Sequence, residues 1–97
     1  MAETQYPITQ AEFRAWLETK RPEAFVGVRN LPFSCPIAEY LMARGDGPVG
    51  VFGHRIADKQ SPRWAEQFVS LTDGGTTFAR VQARTALRLL DRVEVAS

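Results

Sequence analysis

Residues 9–20, TQAEFRAWLETK, carry the strongest structural signal in the chain. Thr9 and Glu12 stand at capping-box spacing, so the Thr9 hydroxyl accepts from the Glu12 amide while the carboxylate reaches back to the Thr9 amide. Ile8 and Phe13 flank the box at the spacing of a hydrophobic staple. Phe13, Trp16 and Leu17 fall within about 100° of arc and give the helix one apolar stripe. Pro22 stops it, which predicts a helix over Thr9–Lys20. A helix with a single apolar stripe needs other elements to cover that stripe.

Reading outward, Phe25–Arg29 is short, rich in β-formers and bounded by turn residues, so it predicts a strand. Asn30–Ser34 is a loop containing Pro32. Cys35-Pro36 opens a second helix, with proline where its missing N–H is harmless. Ile37, Tyr40 and Leu41 line its buried side, and Gly45 caps it. Val49–Ile56 predicts a second strand, weakened at Gly50 and Gly53, which suggest a bulge. Ser61-Pro62 is a second pairing of cap and first-turn proline, predicting a helix to about Thr72 with Trp64, Phe68 and Leu71 on one face. Asp73-Gly74-Gly75 closes it. Thr77–Val81 is a short third strand or an extended lead-in to a last helix, Ala83–Val93.

The expected fold is α+β: about four helices packed around a small two- or three-stranded sheet, one domain over residues 1–97 with its structured part at about 8–93. Glu94–Ser97 reads as a frayed end. The expected core is Phe13, Trp16, Leu17, Ile37, Leu41, Val51, Trp64, Phe68, Leu71, Leu87 and Leu90.

Composition narrows the function. Of 97 residues, 44% are hydrophobic and 24% charged, as in an ordinary globular chain. Twelve basic residues against eleven acidic give +1, which argues against a strongly basic nucleic-acid binder and against a polyanionic mimic. The longest apolar run, Ala24–Val28, is far short of the roughly 20 residues of a membrane span. Residues Met1–Glu3 lack the basic and apolar regions of a signal peptide. A cytoplasmic location is expected, with the single cysteine, Cys35, reduced.

The chemical motifs are weak. Gly45-Asp46-Gly47-Pro48-Val49-Gly50 matches the dinucleotide-binding glycine pattern in letters only. It follows a helix rather than a strand, and Pro48 removes an amide donor. Cys35 at a helix start reads as a packed cap residue, with an oxidation-sensitive thiol and a catalytic nucleophile as alternatives. His54 is the only histidine and cannot build a metal site by itself. No catalytic residue, cofactor or metal is expected. Phe33, in its proline-containing loop, is either a core plug or an exposed interface anchor.

The arginines are the most informative polar feature. Arg80, Arg84, Arg88 and Arg92 recur every four residues, and the last three share the helix face opposite the apolar one. Like charges at that spacing cost about 0.2–0.5 kcal/mol per pair. Within the helix, Asp91 is the acid near enough to offset them, and Glu12 or Glu18 are candidates from elsewhere. The face reads as a solvated or internally paired surface, a site for an acidic protein partner, or a phosphate-contacting surface.

Three segments together resemble a set of small uncharacterised bacterial and phage proteins: Cys35-Pro36-Ile37-Ala38 with Tyr40-Leu41, Trp64-Ala65 with Phe68-Val69, and Ala83 with Ala86-Leu87 and Leu90. The resemblance spans about Phe25 to Val93, implies one compact domain and transfers no chemistry. The expected function is therefore a non-enzymatic protein-binding module, in the manner of a phage or mobile-element accessory factor acting on a host protein. Its acidic partner surface would meet Arg80, Arg84, Arg88, Arg92 and Phe33. The alternative is a small nucleic-acid-binding adaptor using the same arginines.

Overall fold

The computed structural model describes residues 4–73 and 79–93. The expectations for Gly74, Gly75, Thr77, the signal-peptide region and the frayed end lie outside the described residues. Within them the order is α1 (Gln10–Glu18), β1 (Phe25–Val28), α2 (Pro36–Arg44), β2 (Arg55–Ile56), β3 (Lys59–Gln60), α3 (Arg63–Thr72), β4 (Arg80–Gln82) and α4 (Ala83–Asp91). The architecture is α+β, as the hydrophobic patterning predicts.

The α1 cap forms: Thr9 Oγ1 accepts from the Glu12 amide at 3.2 Å. The hydroxyl then donates to the Glu12 carboxylate at 2.9 Å, so the acid closes on the cap side chain. Phe13, fully buried, is the centre of the core. Its ring lies 5.1 Å from Phe68, 5.6 Å from Tyr40 and 5.8 Å from Trp64 between centroids, which joins α1, α2 and α3. Helices α1 and α4 run antiparallel as neighbours. Arg14 meets Asp91 at one end, and the Arg84 amide donates to the Pro22 carbonyl at the other. Trp16 and Leu87, expected in the core, are only partly buried at its margin. Leu71 is likewise half-buried, at the edge of the α3 stripe.

The predicted strand over Val49–Ile56 is corrected. The chain reverses at Gly53, whose φ of +80° suits glycine, so that Val51 bridges back to Ile56. Arg55–Ile56 then turns through Ala57-Asp58 to pair with Lys59–Gln60. The segment at Gln5 adds to this hairpin in parallel, with the Tyr6 amide donating to the Gln60 carbonyl at 2.9 Å. A polar latch holds that segment: Arg44 makes a bidentate pair with Asp46, donates to the Pro7 carbonyl, and Asp46 accepts from the Tyr6 hydroxyl at 2.5 Å. The cap of α3 is also corrected. Pro62, not Ser61, is its N-cap, and the buried Ser61 hydroxyl has no partner among the described residues.

The sheet that positions the candidate site is the antiparallel pair β1–β4, closed by residues far apart in sequence. Its bulge lies in β1, between Phe25 and Gly27, rather than in the Gly50–Gly53 stretch. Phe25 is opposite Gln82, Gly27 opposite Val81 and Val28 opposite Arg80. Directly opposed residues share a face, and the extra residue changes the parity of the strand. Phe25 and Val28 therefore both join Arg80 and Gln82 on the outer face, although three positions apart. Val26, Gly27 and Val81 turn inward. There Gly27 lies against the α2 start so closely that a Cβ would stand 2.5 Å from the Pro36 nitrogen.

Candidate protein-docking surface

The outer face of β1–β4 combines charge with apolar area. Arg80 lies over the Phe25 ring, 5.3 Å from its centroid, a cation–π arrangement worth about 0.5–1 kcal/mol at an exposed site. Gln82 sits beside this pair and accepts from Arg84 Nε at 3.1 Å, which links the sheet face to the first turn of α4. Arg84 and Arg88 are exposed on α4 and Arg92 at its C-cap. The apolar side of α4 is buried through Ala83, Ala86 and Leu90, so the arginines face outward as the periodicity requires.

Internal pairing, one of the readings of this face, is not seen among the described residues. Asp91 is taken by Arg14 of α1, with Nη2 at 2.5 Å from Oδ1. Among the described residues no carboxylate pairs with Arg80, Arg84, Arg88 or Arg92, and neither Glu12 nor Glu18 reaches them.

Phe33 is 58% exposed, which removes the core-plug reading. Its ring meets Phe52 edge-on at 6.3 Å, and among the described residues no ring contact joins it to the four arginines. Gly50 forms the floor beneath both rings. Beside this pair lies an open cleft of about 250 Å³ lined by Leu31, Cys35, Val51, Val69 and Asp73. Asp73 is held to the cleft edge by the Asn30 amide at 3.0 Å.

Cys35 is the N-cap of α2, but its side chain makes no cap hydrogen bond. Burial pushes its thiol up to about 11, outweighing the helix-start amides of Ala38 and Ile37, which pull the other way. The local signal for a reactive thiol is thus overridden by desolvation. His54 is exposed at the turn before β2. Among the described residues no three His, Cys, Asp or Glu side chains are grouped to hold a metal ion, and no helix is long and apolar enough to cross a membrane.

Phe25 and Met42 are exposed apolar residues that sequence patterning does not single out. They are 57% and 50% exposed. Each had a local signal: Phe25 adjoins Val26 in a strand, where neighbours point to opposite faces, and Met42 falls outside the Ile37-Ala38-Tyr40-Leu41 stripe. Comparison with protein families, curated proteins and solved structures finds no match to this chain.

Proposed function

We propose that this chain is a non-enzymatic protein-binding module that docks an acidic partner surface on the outer face of α4. The observation that carries the reading is that, among the described residues, Arg84, Arg88 and Arg92 have no carboxylate partner, while Asp91 is engaged by Arg14. Repulsion along the row, about 0.2–0.5 kcal/mol per pair in an isolated helix, is relieved when a partner supplies carboxylates, and arginine suits bidentate pairing with them. Arg80 over Phe25 extends the surface and gives it an aromatic component. A cytoplasmic setting belongs to the same proposal.

A duplex or single strand is the competing partner class. The net charge of +1 disfavours it, because phosphate-tracking domains carry a clustered basic excess. The test pairs the wild type with an Arg84→Glu/Arg88→Glu variant. A captured protein, once purified, is expected to bind the wild type and not the variant, with the melting temperature of the variant unchanged. Wild-type binding to DNA and RNA is measured across a salt series, where three phosphate contacts give a log–log slope of about −3. Micromolar or tighter nucleic-acid affinity at physiological salt, lost in the variant, would replace the protein partner with a nucleic acid.

A further inference from the structure

Between the outer edge of β1 and the helices α1 and α2 runs an open groove of about 330 Å³, bounded by Trp16, Lys20, Phe25, Glu39 and Met42. We propose that this groove seats one aromatic or long aliphatic side chain of an acidic peptide segment, whose flanking carboxylates pair with Lys20 and Arg80. The proposal rests on the reading of α4 as a docking face for an acidic protein and assigns that partner its anchor.

Two features of the groove specify the occupant. Its walls expose apolar side chains of the kind that seat an anchor: Phe25, Met42 and the half-buried Trp16. Methionine there adapts to different shapes. Two of its aromatic walls carry cations over their rings: Lys20, itself in the lining, has Nζ 5.0 Å from the Trp16 centroid, and Arg80, outside the lining, lies 5.3 Å from that of Phe25. Neither cation has a carboxylate partner among the described residues. A bound carboxylate meets a cation whose position is already set and whose side-chain freedom is already reduced, which lowers the ordering cost of association.

Glu39 sets the polarity. It lies in the same groove, on the α2 wall, and repels any ligand carrying negative charge along its whole length. A peptide can place its acids on the Lys20 and Arg80 side and leave the Glu39 side uncharged. A nucleic-acid backbone, with a phosphate at every step, cannot. The groove therefore favours spaced carboxylates around an apolar anchor. Arg80, Gln82 and Arg84 lead from it to the α4 row, so one segment can occupy both.

The test uses three defined octapeptides, each blocked at both ends: Asp and Glu residues around a central Trp-Leu pair, the same acids around Ser-Ser, and Lys residues around Trp-Leu. Binding is followed by fluorescence anisotropy and by amide shifts of ¹⁵N-labelled protein. The first peptide is expected to bind and to shift Lys20, Phe25 and Met42, with the other two weaker by about tenfold or more, as for loss of a desolvated anchor or of paired charges. Phe25→Ala and Lys20→Glu, both at exposed positions, are expected to weaken it about tenfold without lowering the melting temperature. Glu39→Gln is expected to tighten it about two- to threefold by removing a like charge. Equal affinity for the Ser-Ser peptide, indifference to Phe25→Ala, or tighter binding of a duplex oligonucleotide each overturns the groove assignment. If the acidic peptides bind independently of Phe25 yet are lost in Arg84→Glu/Arg88→Glu, the groove fails and the α4 reading stands. Binding of none of them overturns the groove proposal and leaves the α4 reading to the purified-partner assay.

Discussion

Replacing Gly27 by alanine puts a methyl group where the main chain already stands. The added Cβ would lie 2.5 Å from the Pro36 nitrogen, 2.7 Å from the Cys35 carbonyl carbon and 2.8 Å from the Ser34 oxygen. Ordinary contacts between heavy atoms begin at about 3.5 Å, so β1 and the start of α2 must part by roughly 1 Å. All three atoms belong to the backbone, and no rotamer change relieves the overlap. The same movement loosens the 2.7 Å bond from the Val28 amide to the Ser34 carbonyl. Overpacking costs about 1–3 kcal/mol and a weakened hydrogen bond about 0.5–1.5 kcal/mol. Stiffening of the unfolded chain offsets about 0.4–1 kcal/mol. The expected net loss is about 2 kcal/mol, read in thermal melts as a midpoint lower by roughly 8–16 °C for a domain of this size. Gly50→Ala is the control. There the nearest atoms are ring carbons of Phe52 at 2.6 Å and Phe33 at 3.1 Å, and these exposed side chains can swing aside. Its stability is expected to stay within about 1 kcal/mol of wild type. A Gly27→Ala protein as stable as Gly50→Ala would refute the close packing of β1 on the α2 start.

Acid sensitivity traces to the latch on residues 4–8. Arg44, and then the Tyr6 hydroxyl, hold the Asp46 carboxyl down to about 2 from an ordinary 3.8. Its contribution is complete above the unfolded value and is lost as pH falls from about 4 to about 2, so Asp46→Asn is expected to flatten the stability profile in that window. Cys35, raised to about 11, is expected to react with thiol reagents at neutral pH only as fast as the domain opens; rapid labelling of the folded protein would contradict its burial. Ala57, at φ +54°, is a non-glycine residue in the left-handed region, so Ala57→Gly is expected to raise stability by about 0.5–1 kcal/mol in urea titrations. A loss there would show that the Ala57 methyl is needed for packing.

The helices were readable because their signals are local. Thr9 with Glu12, Pro36 with Gly45 and the arginine face of α4 all act within a turn or two of chain, where i,i+3 and i,i+4 geometry is fixed. The hairpin over residues 55–60 carries none of the Asn-Gly or Asp-Gly chemistry that marks such turns. It is made by Ala-Asp with alanine in a strained conformation, and Val49–Ile56 consequently reads as one strand. The proposed docking surface was half readable. Arg84, Arg88 and Arg92 follow from period, but the engagement of Asp91 depends on Arg14, which is distant in sequence. The exposure of Phe25 depends on a bulge and on pairing with Gln82. The pairing of Phe33 with Phe52 was not readable, because Phe52 comes from a loop with no periodicity.

The pairing of the segment at Gln5 with Gln60 also sets a schedule for the chain as it is made. Tyr6 leaves the ribosome first, yet its acceptor on Gln60 follows only after roughly 3–10 s at ordinary elongation rates. The partners of β1 in β4 come later still, and Phe13 waits for Trp64 and Phe68. Helix α1 can begin to form early from its own cap, but its apolar stripe has nothing to close on until α3 has emerged. The β1–β4 pair and the Gln5–Gln60 bridge each join residues far apart in sequence, so the fold closes only after the later partner of each has been made. Until then the nascent segment presents Phe13, Trp16 and Leu17 to whatever binds exposed apolar surface at the tunnel exit.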